Sequence, residues 1–414
     1  MDFYRWGSFS LDNRYGYYEV FETYISDSFL ELLENIRIYR ILVIGEKQIM
    51  SKKRKIVSLQ TLRAVAFIGI FLNHAGSNIQ WAALGVSVFF TLSGFLMYYQ
   101  YEDKELECSV KNNMSFSLNK IKKLYPLHII TMICAALLYI VVNIVHGWSL
   151  RQTLYLIATV GLNITLLQTW IPNSIINTSL NGVAWYLSVT MFLYFMFPYI
   201  KAYIKRKNKK TICIMCFGIL IVEILLCIPW LLYLGADSKI YIWFMYCFPI
   251  FRLGDFWIGC CFGKIYSSNN NQNVNFVKES IIEITVLFLT AFVYVWEGLK
   301  FDSIWILAIQ NWTTLYIPLS VIWIYLFIKS GGIITKMLTN KITIFIGNIS
   351  AYAFLIHYVV TQYFSCIINY FNIDLTWWGN SGIIIFEFML TIAITILYMK
   401  LIEIKKSVSS TLRA

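Results

Sequence analysis

Arg63 and His74 stand eleven residues apart in the stretch SLQTLRAVAFIGIFLNHAG at 58–76. Eleven residues of α-helix rise about 16 Å and rotate by a net of about 20°, so the two side chains share one stripe. A histidine near its ordinary pKa is a suitable base at neutral pH. An ionisable side chain inside an apolar run costs roughly 3 kcal/mol on insertion scales, which makes it a functional candidate. Two readings stay open on spacing alone. Either Arg63 and His74 line one cavity, or each extends to its nearer surface of an apolar layer.

Other polar residues interrupt apolar runs further along. GVSVFFTLSGFLM carries the small residues Gly85, Ser87, Ser93 and Gly94, which let helices approach closely. In SLNKIKKLYPLHI, Lys120 and Lys123 fall at i, i+3, on one helix face, just before Tyr125 and Pro126. Paired cations there suit a phosphate-bearing ligand, and anchoring of the chain at acidic head groups explains them equally well. FRLGDFWIG sets Arg252 three residues before Asp255 as a neutralising pair inside a span. GNISAYAFLIHY holds Asn348 and His357, the latter read as a hydrogen-bonded packing residue. Eight of the nine cysteines fall in apolar segments and Cys108 in a loop. No histidine stands near any of them at metal-ligand spacing, so no metal site is expected.

These residues must be positioned by membrane helices. The chain has 414 residues, of which 58% are hydrophobic and 14% charged, outside the range of soluble domains. Its mean hydropathy is +0.64. Its apolar runs of about 20 residues suit helices crossing a roughly 30 Å hydrocarbon core, and they lack the alternation of barrel strands. The expected class is an all-α polytopic membrane protein. Spans are expected at 57–76, 81–101, 124–146, 181–200, 211–234, 241–263, 280–298, 312–328, 342–366 and 381–399. If 153–170 does not cross, 24 basic residues fall on one side, including the run KAYIKRKNKK at 201–210, and only Arg151, Lys239 and Lys300 on the other. The rich side is then cytoplasmic, with both termini, in the cell (inner) membrane. LYLIATVGLNITLL therefore reads as a re-entrant or surface segment. The net charge of +12 is absorbed by this topology and calls for no nucleic acid. Residues 1–49 form a cytoplasmic N-terminal extension or an over-long reading frame ahead of Met50, with an amphipathic stretch at 27–45, and 50–414 form the membrane domain.

Taken in order, LRAVAFIGIFLNHAG, GVSVFFTLSGFLMY, KIKKLYPL, NGVAWYLSVTMFLYFMFPYI, FRLGDFWIG and IGNISAYAFLIHY resemble the motifs of the membrane-bound acyltransferase 3 family, whose members O-acylate bacterial surface glycans. The resemblance covers roughly 58–400. It implies a ten-helix bundle and an acyl-CoA donor, usually acetyl-CoA, with a saccharide or lipid-linked glycan as acceptor. It also implies that His74 is catalytic with Arg63 as its partner, that Lys120, Lys123, Tyr125 and Arg252 bind the donor, and that Asn181, Trp185, Ser93, Asp255 and His357 bind acceptor or support the site. His74 acts either as base or as transient acyl carrier. Two departures stand out: lysines replace the family's paired arginines, losing their planar two-pronged grip on phosphate, and Thr190 replaces a Glu in WYLSVT. The segment 147–180, with Trp148, Trp170 and Asn173, is expected to form a lid or sugar shelf. Two other classes fit the same residues: a transporter using Arg63, His74, Asp255 and Glu387, and an inactive family member acting as a scaffold.

Overall fold

The computed structural model describes residues 55–77, 81–268, 274–299, 303–311, 313–373 and 377–411. The extension 1–49, its amphipathic stretch and Met50 lie outside them. The described residues form helices with no strand between them. In chain order these are α1 (Ser58–His74), α2 (Ala82–Tyr101), α3 (Val110–Ile121), α4 (Tyr125–His146), α5 (Leu150–Thr165), α6 (Ser174–Asn177), α7 (Trp185–Lys205) and α8 (Lys209–Leu234). There follow α9 (Lys239–Ile242), α10 (Leu253–Ser267), α11 (Phe276–Glu297), α12 (Ile304–Ile309), α13 (Tyr316–Lys329), α14 (Ile333–Leu338), α15 (Lys341–Tyr370) and α16 (Trp377–Thr411).

Among the described residues, six helices are long and apolar enough to cross a membrane: α2, α4, α7 with the turn before it, α8, α15 and α16. This is the all-α polytopic class that composition implies. Burial divides the six by role. α2, α7 and α15 are mostly enclosed, whereas α4, α8 and α16 leave most of their apolar surface outward, as lipid-facing helices do. α5 runs for 16 residues and is not among these six helices. Ser149 starts it with a capping box, accepting from the Gln152 backbone N–H while the Gln152 side chain returns a bond to the Ser149 backbone.

One expected span is broken. The segment 241–263 is not a continuous helix: α9 runs into a π turn at Trp243–Cys247, Phe248 is extended, and α10 begins only at Leu253. Pro249 explains the break, because proline disfavours the helical conformation of the residue before it and has no N–H to continue the ladder. Arg252 therefore occupies the N-cap of α10 and Asp255 its first turn, rather than mid-helix positions.

Two pairs of parallel helices make the centre. Along α1 and α15, Thr61 Oγ1 lies 3.2 Å from Thr343 Oγ1, and thirteen residues later on α1, fourteen on α15, His74 meets His357. The contact is backbone to backbone, since a Cβ on Gly347 would lie 1.8 Å from the Gln60 carbonyl oxygen. Along α2 and α10, Ser87 pairs with Asp255, Gly259 faces the Thr91 carbonyl, and Gly94 faces that of Phe256. The small residues of α2 thus serve different neighbours: Gly85 abuts α1 at Ala66, Gly94 abuts α10, and Ser93 bonds Tyr194 of α7. At the opposite end of the bundle from His74, Glu283 of α11 caps α14, accepting from the backbone N–H groups of Gly332, Ile334 and Thr335.

A Cβ at position 259 would stand 2.1 Å from the Thr91 carbonyl oxygen, and backbone cannot swing aside as a side chain can. Gly259→Val is expected to destabilise the bundle by at least the roughly 1–3 kcal/mol of an overpacked core. Thermal unfolding in detergent checks this, with Gly161→Val, where a Cβ meets open space, as the control.

Candidate active site

His74 ends α1 and His357 lies mid-way along α15. Their rings are stacked with centroids 5.2 Å apart, and His74 Nδ1 is 3.0 Å from His357 Nε2, within hydrogen-bond range. His357 is fully buried, with edge contacts from Phe67 and Phe71 and a tilted contact from Phe354. His74 remains partly exposed, with Tyr358 edge-on at 5.1 Å. The reading of His357 as a packing residue is therefore incomplete: it packs, and it also bonds the other candidate. The two histidines are 283 residues apart in the sequence, so no local spacing could pair them.

The segment before α7 supports this pair. Asn181 is buried and donates from Nδ2 to Thr131 Oγ1 and to the Leu355 carbonyl, both at 2.9 Å, which fixes α15 two residues before His357. A Cβ on Gly182 would lie 2.6 Å from the Tyr358 ring, so glycine lets that strip of backbone press on the ring that covers His74. Gln362 adds a bond to the Leu180 carbonyl at 3.0 Å. Trp185 is buried against Phe90 and Tyr246. It packs within the wall and stands with the aromatic cluster, not at His74.

Arg63 is partly buried and turns toward α7, where its charge acts on the hydroxyls of Tyr186 and Tyr194. Ser93 Oγ and Tyr194 Oη are 3.0 Å apart. Tyr186 stacks on Phe90 at 4.5 Å, and the Arg252 guanidinium lies 4.9 Å from the centre of the same ring. Thr190 is buried beside them, its hydroxyl next to that of Tyr186. Arg63 and Arg252 thus act on one aromatic group from two helices, a link that spacing within either motif does not reveal.

Arg252 and Asp255 are both fully enclosed, with Arg252 Nη2 3.3 Å from Asp255 Oδ1. Ser87 donates to that same oxygen at 2.7 Å. Glu223 of α8, within electrostatic reach of both, accepts from Thr314 Oγ1 at 2.7 Å. Its carboxylate lies against the backbone of Gly254, where a Cβ would fall 1.7 Å from Oε1. Sequence reasoning passed over Glu223, although a lone acid in ILIVEILL is itself a signal. Arg252 also stands apart from the lysine pair. It lies over Phe90 while Lys120 lies over Tyr101, eleven residues or about 16 Å further along α2.

The lysines are placed differently from expectation. α3 ends at Ile121, so Lys123 lies in the turn beyond it rather than on the same helix face as Lys120. Pro126 is the physical cause, since its ring clashes with the carbonyl four residues back and disfavours one continuous helix. The side chains consequently part. Lys120 Nζ sits 4.5 Å from the centre of the Tyr101 ring, and Lys123 Nζ 5.8 Å from that of Tyr352 on α15. Tyr352 precedes His357 by five residues, about 7.5 Å of helix rise. Tyr125 Oη donates to the Ile164 carbonyl at 2.8 Å, tying the start of α4 to the end of α5. In the expected shelf, Trp148 and Trp170 are exposed, and Asn173 caps α6 by accepting from the Ile175 N–H.

Enclosed polar residues inside an apolar helical bundle, with a histidine pair at one end and cations at the other, define a polytopic membrane protein with a polar centre. Residues 56–400 match the acyltransferase domain that defines the acyltransferase 3 family, and the chain belongs to that family. It is also similar to the acyltransferase MdmB of Streptomyces mycarofaciens, with 26% identity over 161 residues, covering 35% of this chain and 38% of that protein. No solved structure matches the chain.

Removing Arg252 takes away the cation that Asp255 and Glu223 share. Arg252→Met is expected to lower stability by about 3–5 kcal/mol, the cost of breaking a buried ion pair from one side. Asp255→Asn and Arg252→Met together are expected to recover part of that loss, read as unfolding midpoints of the purified variants.

Proposed function

We propose that the protein is a membrane O-acyltransferase that moves an acyl group, acetyl in the simplest case, from cytoplasmic acyl-CoA to a hydroxyl of an extracytoplasmic or lipid-linked saccharide. The observation that carries the reading is the partly exposed His74, bonded to His357, at the far end of α1 from the basic residues. Family membership supplies the acyltransferase class.

The topology that goes with it has ten crossings, both termini cytoplasmic, and α5 held at one face. Parallel packing supports this count. Between α1 and α15 the chain passes through α2, α4, α7, α8, α10, α11 and α13, and an odd number of crossings brings α15 back parallel to α1. Only three of them, α4, α7 and α8, separate α2 from α10, again an odd number and again parallel. Counting α5 as a crossing would reverse both pairs.

In the proposed reaction the donor's phosphates meet Lys120 and Lys123, and its thioester reaches His74 past Arg63. His74 takes the proton of the acceptor hydroxyl while that oxygen attacks the thioester carbonyl. The carbon–sulfur bond then breaks, an ester forms, and the leaving thiolate takes up the proton held on His74, giving CoA. Tyr186 and Tyr194 offer hydroxyls along the path beside Arg63. Lysine in place of arginine keeps charge for the phosphates and loses bidentate geometry, so donor binding depends on two point charges.

Purified protein supplied with acetyl-CoA and a glycan acceptor should release CoA thiol and form ester. His74→Ala should lower that rate by about 10²–10⁴-fold, the usual span for a general base. Lys120→Gln with Lys123→Gln should raise KM for the donor with kcat kept. Equal acceptor-dependent CoA release from wild type and His74→Ala would sink the proposal. Solute uptake by vesicles without CoA would place the protein among transporters instead.

A further inference from the structure

We infer that His357 is a positioning residue for His74: it accepts the His74 Nδ1–H through its own Nε2, holds His74 in that tautomer, and leaves His74 Nε2 as the nitrogen that takes the acceptor's proton. The inference rests on the reading of His74 as the base.

The argument starts from the shared hydrogen bond. Two neutral imidazoles whose nitrogens stand 3.0 Å apart hold one proton between them, so one nitrogen donates and the other accepts. Which one donates is decided by the far side of His357. Its Nδ1 is enclosed without a well-formed bond, and the acceptors it faces are the carbonyls of Phe354 and Ala353, one turn back on α15. A nitrogen that faces only acceptors is better protonated, because a lone pair turned toward carbonyl oxygens gains nothing. His357 Nε2 then carries the lone pair and accepts from His74.

Neutral imidazole has one N–H, so a proton on His74 Nδ1 leaves its Nε2 unprotonated. That nitrogen lies across the ring from the one bonded to His357, in a residue that is itself partly exposed. A buried carboxylate does the corresponding work in serine hydrolases, accepting from the histidine and fixing its tautomer and orientation. Here a neutral imidazole takes the acceptor role in a wall of Phe67, Phe71 and Phe354, where an unpaired carboxylate would be costly. Orientation is reinforced from outside the pair. Asn181 fixes the Leu355 carbonyl on α15, and the Gly182 backbone presses Tyr358 against the His74 ring.

The chain holds only four histidines, His74, His128, His146 and His357, so nitrogen resonances of protein labelled with ¹⁵N-histidine can be assigned by single substitution. In wild type, His74 should show a protonated Nδ1 and an unprotonated Nε2. In His357→Leu it should lose that preference. The same variant should lose about 10²–10³-fold in kcat, with KM for acetyl-CoA unchanged. His357→Gln, whose amide oxygen can stand at the position of the lost Nε2, should recover at least about tenfold of that loss. A protonated Nε2 on His74 in wild type, an unchanged tautomer in His357→Leu, or equal activity of the Gln and Leu variants would overturn the inference. The tautomer is read in the absence of turnover, so a protein that transfers no acyl group would defeat the reading of His74 as a base and still leave the hydrogen bond open to test. Unfolding midpoints of both variants separate loss of positioning from loss of fold.

Discussion

The packing of α1 against α15 is the constraint on which the rest depends. Two helices in lipid gain little from apolar contact alone, because hydrocarbon solvates them as well as they solvate each other. Close approach supplies what burial does not, and it requires a position with no side chain. Gly347 provides it, bringing the Gln60 backbone onto α15. Parallel orientation then carries two helix ladders upward in register, and the histidines arrive together at the far end.

The second parallel pair does a related task with charge added. α2 and α10 touch through glycines, while Ser87, Asp255 and Arg252 form a polar group enclosed among aromatic rings. Such a group is expensive to bury and cannot be left half built. It fixes the start of α10 at the place where Pro249 breaks the chain, and it pulls Glu223 of α8 into the same neighbourhood. The break and the buried charge belong together: an interrupted helix in a membrane needs polar partners for its exposed backbone. Between the two pairs stand Arg63, Tyr186 and Tyr194, so the middle of the bundle is polar while its outer helices are apolar.

The histidine pair gains its chemistry from this division. His357 is sealed by rings and can exchange protons only with what touches it, whereas His74 is partly exposed. A partly exposed histidine beside an enclosed one suits the proposed reaction, in which donor and acceptor come from opposite faces of a membrane. The lysines at the other end part toward α2 and α15, so the two charges do not form a single clamp.

Much of this was legible in the order of the residues, and the reason is local. Apolar runs of about 20 residues specify membrane helices because length and hydropathy are properties of a segment. The eleven-residue spacing of Arg63 and His74 specifies one stripe for the same reason. The motif order placed the chain in its family, as the match over 56–400 bears out. What no segment contains is a partner in another segment. His357 looked like a packing residue because its hydrogen bond spans 283 positions, and Glu223 went unnoticed because its neighbours are on α10 and α13 or in the loop before it. The break at Pro249 and the turn at Lys123 were written locally but masked by hydropathy, which registers apolarity and not backbone continuity. Sequence alone determined the all-α polytopic class and which polar residues interrupt its apolar runs. Only the tertiary structure decided which polar groups meet, because hydrogen bonds between helices depend on registers that chain order does not carry.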